Sequence, residues 1–410
     1  MKVKLAERMS RLGTETAFEV LAKVVDLRRK GRDIVSFCIG EPDFDTPEHI
    51  REAGIQAIQK GRTHYGPPAG LPELREAIAA HLTKRYGVPY SMDEIVVTAG
   101  GKSIILFAIQ ALVNEGDEVI YPNPGYPIYE SAIDFVGGKR VPLPYWESRG
   151  FSFDINELER LITPKTKMVV INSPANPTGG VIAADDLKRL AELAKKHDFW
   201  ILTDEIYSDI TYDKEFHSIL KFPGVKERTI LLHGFSKIYA MCGWRLGYGA
   251  MPRELVPGIA RLNNNYVACA ATFTQLAGKT ALEGSQEPSR KMVAEYKARR
   301  DLIVGLLNEI KGVRCHLPFG AFYVFANVTG ACKNLGFKDS LDVEDYALEK
   351  AGVAVLSRMR FGRKNAGEND EYIRLSYATG TKDIQEGLKR LKAALEDQAL
   401  ASQWLKERKK

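Results

Sequence analysis

A chain of 410 residues exceeds what one hydrophobic core readily covers, so it fits two domains, and its ordinary composition marks it as globular. The net charge of +6 is spread, with Lys and Arg interleaved among Asp and Glu; this excludes a nucleic-acid-binding face, and the basic end at 406–410 reads as a solvated tail. Five cysteines without short paired spacing exclude a disulfide framework or zinc site, and no apolar run suits a signal core or a membrane span, so the expected compartment is the cytoplasm.

Between residues 72 and 283 helical periodicity alternates with short apolar runs. The helical patterns cover 71–85, 102–113, 185–196 and 253–282, and the apolar runs are 95–98, 118–121, 167–171, 200–203, 229–232 and 246–250. Several runs are nearly continuous in Val and Ile, as in strands buried on both faces of a parallel sheet. The alternation predicts a doubly wound α/β domain whose ligand sits beyond the carboxyl ends of its strands. The last third differs: a polar helix over 289–310, a strand over 321–327, a helix near 343–351, short strands at 353–356 and 372–377, and a closing helix over 382–395. That order predicts a smaller α+β domain. The stretch 359–370, rich in Arg, Lys, Gly and Asn, reads as a mobile loop. The expected division is a large, mostly parallel α/β domain over 46–284 and a small domain of 285–410 with the N-terminal segment 1–45.

Four separated motifs carry the chemistry. Asn172-Ser173-Pro174-Ala175-Asn176-Pro177-Thr178-Gly179 and Asp204-Glu205-Ile206-Tyr207 precede Gly234-Phe235-Ser236-Lys237. Arg245 follows eight residues after that lysine, and Arg374-Leu375-Ser376-Tyr377 comes last. Together these resemble the class I aminotransferases of the aspartate aminotransferase fold, fold type I of the pyridoxal-phosphate enzymes, from about Ile34 to the end of the chain. The likeness is closest to the bacterial and archaeal branch carrying Gly-Glu-Pro-Asp-Phe-Asp-Thr-Pro, here residues 40–47. The resemblance implies pyridoxal 5'-phosphate as cofactor.

Transamination needs an amine that forms an imine with the cofactor and then moves a proton between two carbons, and lysine suits both tasks. Lys237 follows a buried-strand pattern, so it should project from a strand end into a pocket. The cofactor is an electron sink only while its ring nitrogen stays protonated, which takes a buried carboxylate. Asp204, after the apolar run 199–203, is placed for that. The resemblance assigns the cofactor's ring oxygen to Tyr207 and Asn176, both able to donate to an oxyanion. A phosphate takes amides at a helix N-terminus with hydroxyls and a cation. Gly100-Gly101-Lys102-Ser103 lies between a strand and an amphipathic helix, and in the family Ser236 and Arg245 would complete the cradle. The resemblance makes Tyr126, in Asn123-Pro124-Gly125-Tyr126-Pro127, the aromatic that stacks on the ring. It makes Tyr65 the tyrosine that a neighbouring subunit sends to the phosphate, which implies a homodimer with shared active sites. Gly40 matches a backbone position beside the substrate carboxylate, where glycine permits close approach.

Arg374 matches the family's clamp for the α-carboxylate, a planar group suited to bidentate pairing. Strand alternation could point it into the cleft or to solvent. The apolar Leu375, Tyr377 and Ala378 favour the cleft, and Arg358 and Arg360 are next in line. Animal-type aspartate aminotransferases use a second arginine from the partner subunit for the distal carboxylate. The corresponding stretch here, 263–272, has none, and the nearest is Arg261. Lys102 could take that carboxylate or serve only the phosphate, and both readings stand. Thr14 and Thr16 are candidates to line a lid over the pocket.

The expected reaction moves the amino group of aspartate or glutamate to a 2-oxo acid in ping-pong fashion. Aromatic, alanine or other neutral amino-acid transfer and a carbon–sulfur β-lyase are alternatives on the same residues. The fold also serves bacterial transcription regulators, which carry a helix-turn-helix domain ahead of it; a resemblance starting near residue 34 leaves no room for one. Expected partners are amino acids and 2-oxo acids, with no nucleic acid, membrane or metal.

Overall fold

Twelve strands among the described residues of this computed structural model, 3–13 and 16–408, fall into three sheets. In chain order they are β1 (Val35–Ser36), β2 (Ile95–Thr98), β3 (Glu118–Asn123), β4 (Lys139–Pro144), β5 (Thr166–Asn172) and β6 (Trp200–Asp204). They continue with β7 (Thr229–Gly234), β8 (Gly247–Ala250), β9 (Tyr323–Asn327), β10 (Val353–Ala354), β11 (Leu356–Ser357) and β12 (Tyr372–Ser376). Strands β2 to β8 form one sheet in the order β2-β8-β7-β6-β5-β3-β4, in which β8 runs against both neighbours and the rest are parallel.

The apolar runs are continuous because the sheet is buried on both faces. Val170, Leu202 and Ile230 pack against Ile104, Ile105 and Ile109 of the helix Lys102–Leu112. Their chain neighbours Val169, Ile201 and Leu231 face the opposite layer with Leu187, Leu190 and Leu193 of the helix Ala184–His197. Period-two alternation sends successive residues to opposite faces, so each must be apolar. The edge strand β4 is absent from the predicted set. Its Lys139, Arg140, Pro142 and Pro144 leave no apolar run to mark it, and charge and proline are what an edge strand tolerates.

The small sheet has the order β11-β12-β9, antiparallel throughout, and β1 pairs in parallel with β10, Val35 opposite Val353. The N-terminal segment is thereby hydrogen-bonded to the C-terminal third. A single apolar core runs from the large sheet through Tyr207, Phe322 and Tyr323 into the small one.

Three expectations need correction. The single helical pattern over 253–282 is two helices, Val256–Val267 and Thr272–Glu283, broken where Ala268 takes a left-handed φ of 64°. The stretch expected to be a mobile loop is anchored. Arg358 is fully buried and pairs with Glu368 at 2.6 Å, while Asn123 donates to Asn365 at 2.7 Å, fastening the segment to the end of β3. The basic end is not a free tail through Arg408. A helix Gln398–Glu407 buries Trp404, and Arg408 pairs with Asp345 at 2.9 Å. Trp404 and its apolar neighbours supply the docking face that the charges obscure in the sequence.

Candidate active site

The predicted motifs converge because of strand direction. Parallel strands end at one edge of the sheet: β2 at Thr98, β3 at Asn123, β5 at Asn172, β6 at Asp204 and β7 at Gly234. The register aligns these ends, with Asn172 opposite Asp204, and Gly247 opposite both Thr98 and Gly234. The antiparallel β8 starts where its neighbours finish, so Arg245 just before it lies at the same edge. Chain emerging from this edge carries Gly101, Lys102, Tyr126, Asn176, Tyr207, Ser236 and Lys237 into a cleft of about 440 Å³, closed on the far side by Gly40, Tyr323 and Arg374.

Lys237 is half-buried, and its Nζ donates to the Gly40 carbonyl at 2.6 Å, with the Cys242 thiol at 3.7 Å. Asp204 is buried, accepting from the Tyr129 hydroxyl at 2.7 Å and from the Ile206 amide at 3.2 Å. Burial pushes its carboxyl up to about 6, against the pull of those two donors. No cation pairs with it among the described residues, and a protonated ring nitrogen would supply one. Tyr207 is buried, with its hydroxyl 2.7 Å from that of Tyr323.

Arg374 sits on β12, the central strand of the small sheet and not an edge, and is only 3% exposed. Its Nη1 donates to Asn176 Oδ1 at 3.2 Å and its Nη2 to the Cys38 carbonyl, while its Nε is buried without a partner. The rings of Tyr323 and Phe361 lie 4.6 and 5.1 Å from its guanidinium carbon. No carboxylate pairs with it among the described residues, whereas Arg358 is taken by Glu368 and Arg360 by Glu344. A buried cation in that condition is a ready receptor for an anion.

Gly100 does not line the cleft but makes room behind it. With φ of 90°, it lies where a Cβ would stand 2.4 Å from Arg245 Nη2. Arg245 itself holds a left-handed φ of 53° and donates from Nη1 to the Cys242 carbonyl at 2.9 Å. A non-glycine residue held there by its surroundings is the kind of local strain that collects at working sites. Lys102 Nζ is 5.6 Å from the centre of the Tyr126 ring. Thr16 precedes the helix Ala17–Arg29 without a capping hydrogen bond and does not itself line the cleft, which Ala17 and Phe18 reach; Thr14 lies outside the described residues. Tyr65 is the one predicted site residue that this chain does not bring near the cleft, being 88% exposed on a loop.

Among the cleft residues that the sequence did not mark are Tyr129, Tyr323 and Cys242. The pairs Arg374–Phe325 and Ser376–Tyr323 place Tyr323 and Arg374 on one face, but that register cannot be read from sequence alone.

Comparisons with known proteins agree with this geometry. The aminotransferase class I and II family matches residues 32–391. The protein of Aquifex aeolicus named "Probable aspartate/prephenate aminotransferase" is 40% identical over 401 residues, 97% of this chain and 100% of its own. "Aromatic-amino-acid aminotransferase 2" of Thermococcus litoralis is 38% identical over 384 residues, 93% of this chain and 96% of its own. The aspartate aminotransferase of Thermus thermophilus with maleate superposes with a TM-score of 0.89 at 36% identity, covering 96% of this chain and 100% of that one. Strands, cleft and sequence thus point the same way, and the chain belongs to the class I and II aminotransferases.

Proposed function

We propose that this aminotransferase uses pyridoxal 5'-phosphate to take the amino group from aspartate or glutamate and pass it to a 2-oxo acid. The observation that carries the reading is the meeting, in one cleft, of the Lys237 amine, the cation-starved Asp204 carboxylate and the carboxylate-starved Arg374. These are the needs that a protonated pyridine ring and an amino-acid carboxylate would fill, so the residues fit the cofactor. When bound, pyridoxal phosphate supplies an aldehyde that condenses with amines and a ring that accepts the electron pair left when the α-carbon loses its proton.

The chain's own residues do the rest. Asp204 holds the proton on the ring nitrogen, and Tyr129 orients that carboxylate. Tyr207 and Asn176 donate to the ring oxygen. Ser236, Arg245 and the amides at Gly101 and Lys102 hold the phosphate, where the helix Lys102–Leu112 begins. Tyr126 forms the aromatic wall. Lys237 would anchor the cofactor and would carry the migrating proton on Nζ. Arg374 grips the α-carboxylate, and Gly40 leaves space beside it.

For the side chain we assign the distal carboxylate to Lys102, which lines the cleft while 263–272 carries no arginine. The relatives' names and the maleate complex support a dicarboxylate. Lys102→Ala should lower kcat/KM for aspartate by roughly 30- to 1000-fold, the loss of one charged contact worth about 2–4 kcal/mol. Alanine and phenylalanine should be nearly unaffected. Equal losses for every donor, with weaker cofactor binding, would place Lys102 on the phosphate instead. A second reading, transfer from aromatic amino acids, is favoured by the apolar wall of Phe18, Ile39 and Ile105 and by the name of the Thermococcus relative. A panel of amino donors with 2-oxoglutarate separates the two.

We also propose that Tyr65 works across a homodimer. The loop that carries it is pinned by Thr272, whose hydroxyl donates to the Arg62 carbonyl at 2.6 Å. Ile55, Ile58, Tyr266 and Val267 on the adjoining elements are exposed too. A second copy of the chain would cover them, and sedimentation of the holoenzyme as two chains checks it; a monomer refutes it. No helix of the described residues is long and apolar enough to cross a membrane, and the five cysteines are free. On the free thiols we place the protein in the cytoplasm, which cell fractionation can refute.

A further inference from the structure

The roles above leave one buried hydroxyl of the cleft without work. Tyr323 opens β9 and is 1% exposed. Its oxygen lies 2.7 Å from that of Tyr207 and presses on Gly40, where a Cβ would stand 1.7 Å from it. The Gly40 carbonyl in turn holds Lys237, and the Arg374 guanidinium lies 4.6 Å from the Tyr323 ring centre. Small sheet, large sheet and N-terminal segment therefore meet at this one phenol.

Two neutral phenols in contact share one proton and must send the other elsewhere. Burial first, and then the neighbouring Tyr323, push the Tyr207 phenol well above its ordinary range, so it keeps its proton. Neither hydroxyl has another hydrogen bond among the described residues. Were Tyr207 to donate to Tyr323, it would have no proton left for an anionic oxygen in the cleft. We propose that Tyr323 is a positioning residue: it donates to Tyr207, so that the proton of Tyr207 points into the cleft and serves the cofactor's ring oxygen. Accepting a hydrogen bond also strengthens Tyr207 as a donor. The inference rests on pyridoxal phosphate occupying the cleft.

The test is a pH titration of the absorbance of the cofactor-loaded protein. In its alkaline form the bound cofactor carries an uncompensated negative charge on the ring oxygen. A donor there favours that form and keeps the transition pH low, and losing the donor raises it. Tyr207→Phe should raise the transition by about one to two units, the worth of a hydrogen bond to a charged group. Tyr323→Phe removes one oxygen and leaves the ring packed against Phe322. It should raise the transition by roughly 0.1 to 0.6 units, the share that polarisation contributes. In the Tyr207→Phe background the same change should add nothing, because its effect passes through the missing hydroxyl. No shift, a downward shift, or an equal shift in both backgrounds overturns the proposal. A wild-type protein with no cofactor band to titrate overturns it together with the reading of the site, and so is told apart from the other failures.

Discussion

Replacing Lys237 by alanine should abolish transamination, with kcat/KM lower by about four decades or more. The estimate combines loss of the amine that anchors the cofactor with loss of a proton carrier, itself worth roughly two to four decades. The geometry explains why no other side chain would take over. Lys237 is the lysine at the end of β7, its Nζ 2.6 Å from the Gly40 carbonyl and some 6 Å from the rings of Tyr207 and Phe322. The other lysine lining the cleft, Lys102, starts the helix after β2 and lies beside the Tyr126 ring. Two measurements check this apart from turnover. Wild-type protein should take up pyridoxal phosphate and turn yellow, and borohydride should then leave the cofactor on the peptide carrying Lys237. The Lys237→Ala protein should bind cofactor without that attachment. Label on a different lysine would refute the assignment.

Arg374→Leu should cost about two to four decades of kcat/KM for every amino acid and every 2-oxo acid alike. Removing one partner of a buried ion pair leaves the other charge uncompensated, at roughly 3–5 kcal/mol. The effect should be general because every substrate brings an α-carboxylate, unlike the selective loss expected at Lys102. Colour should survive and cofactor affinity should fall little, because Arg374 reaches the cofactor's residues only through Asn176, its other partners being the Cys38 carbonyl and two aromatic rings. An amine without a carboxylate, reacted in a single turnover, should hardly notice the change. Wild-type activity toward several amino acids would show that the clamp lies elsewhere. Arg358 and Arg360 are poor replacements, each already neutralised by a glutamate.

Leucine at this position removes the hydrogen bonds to the Cys38 carbonyl and to Asn176 Oδ1. Some loss of stability is therefore expected, on the order of 1 kcal/mol. A melting curve separates that from the catalytic loss.

Much of the site was legible in the sequence because catalysis demands particular residue types at strand ends. An apolar run followed by Asp204, and another followed by Ser236-Lys237, mark buried strands delivering polar groups to one edge. The parallel direction of those strands makes the edge common to them all. Sequence periodicity also located several of the long helices, among them Pro72–Tyr86, Ala184–His197 and Thr381–Leu395. Tertiary structure decided the rest. Whether Arg374 faces cleft or solvent depended on β12 lying between β9 and β11, a long-range pairing that local pattern does not encode. The stretch 359–370 looked loose because its polar residues follow no helical or strand period, yet Glu368 ties it to Arg358 and Asn365 from within, and Asn123 fastens both of those residues from across the fold. Tyr129 and Tyr323 read as ordinary core aromatics until packing set their hydroxyls against Asp204 and Tyr207. The sequence by itself thus determined which groups reach the cleft along the chain. Only the tertiary structure decided which groups support them from across it, because hydrogen bonds between distant segments depend on register and packing that no local pattern carries.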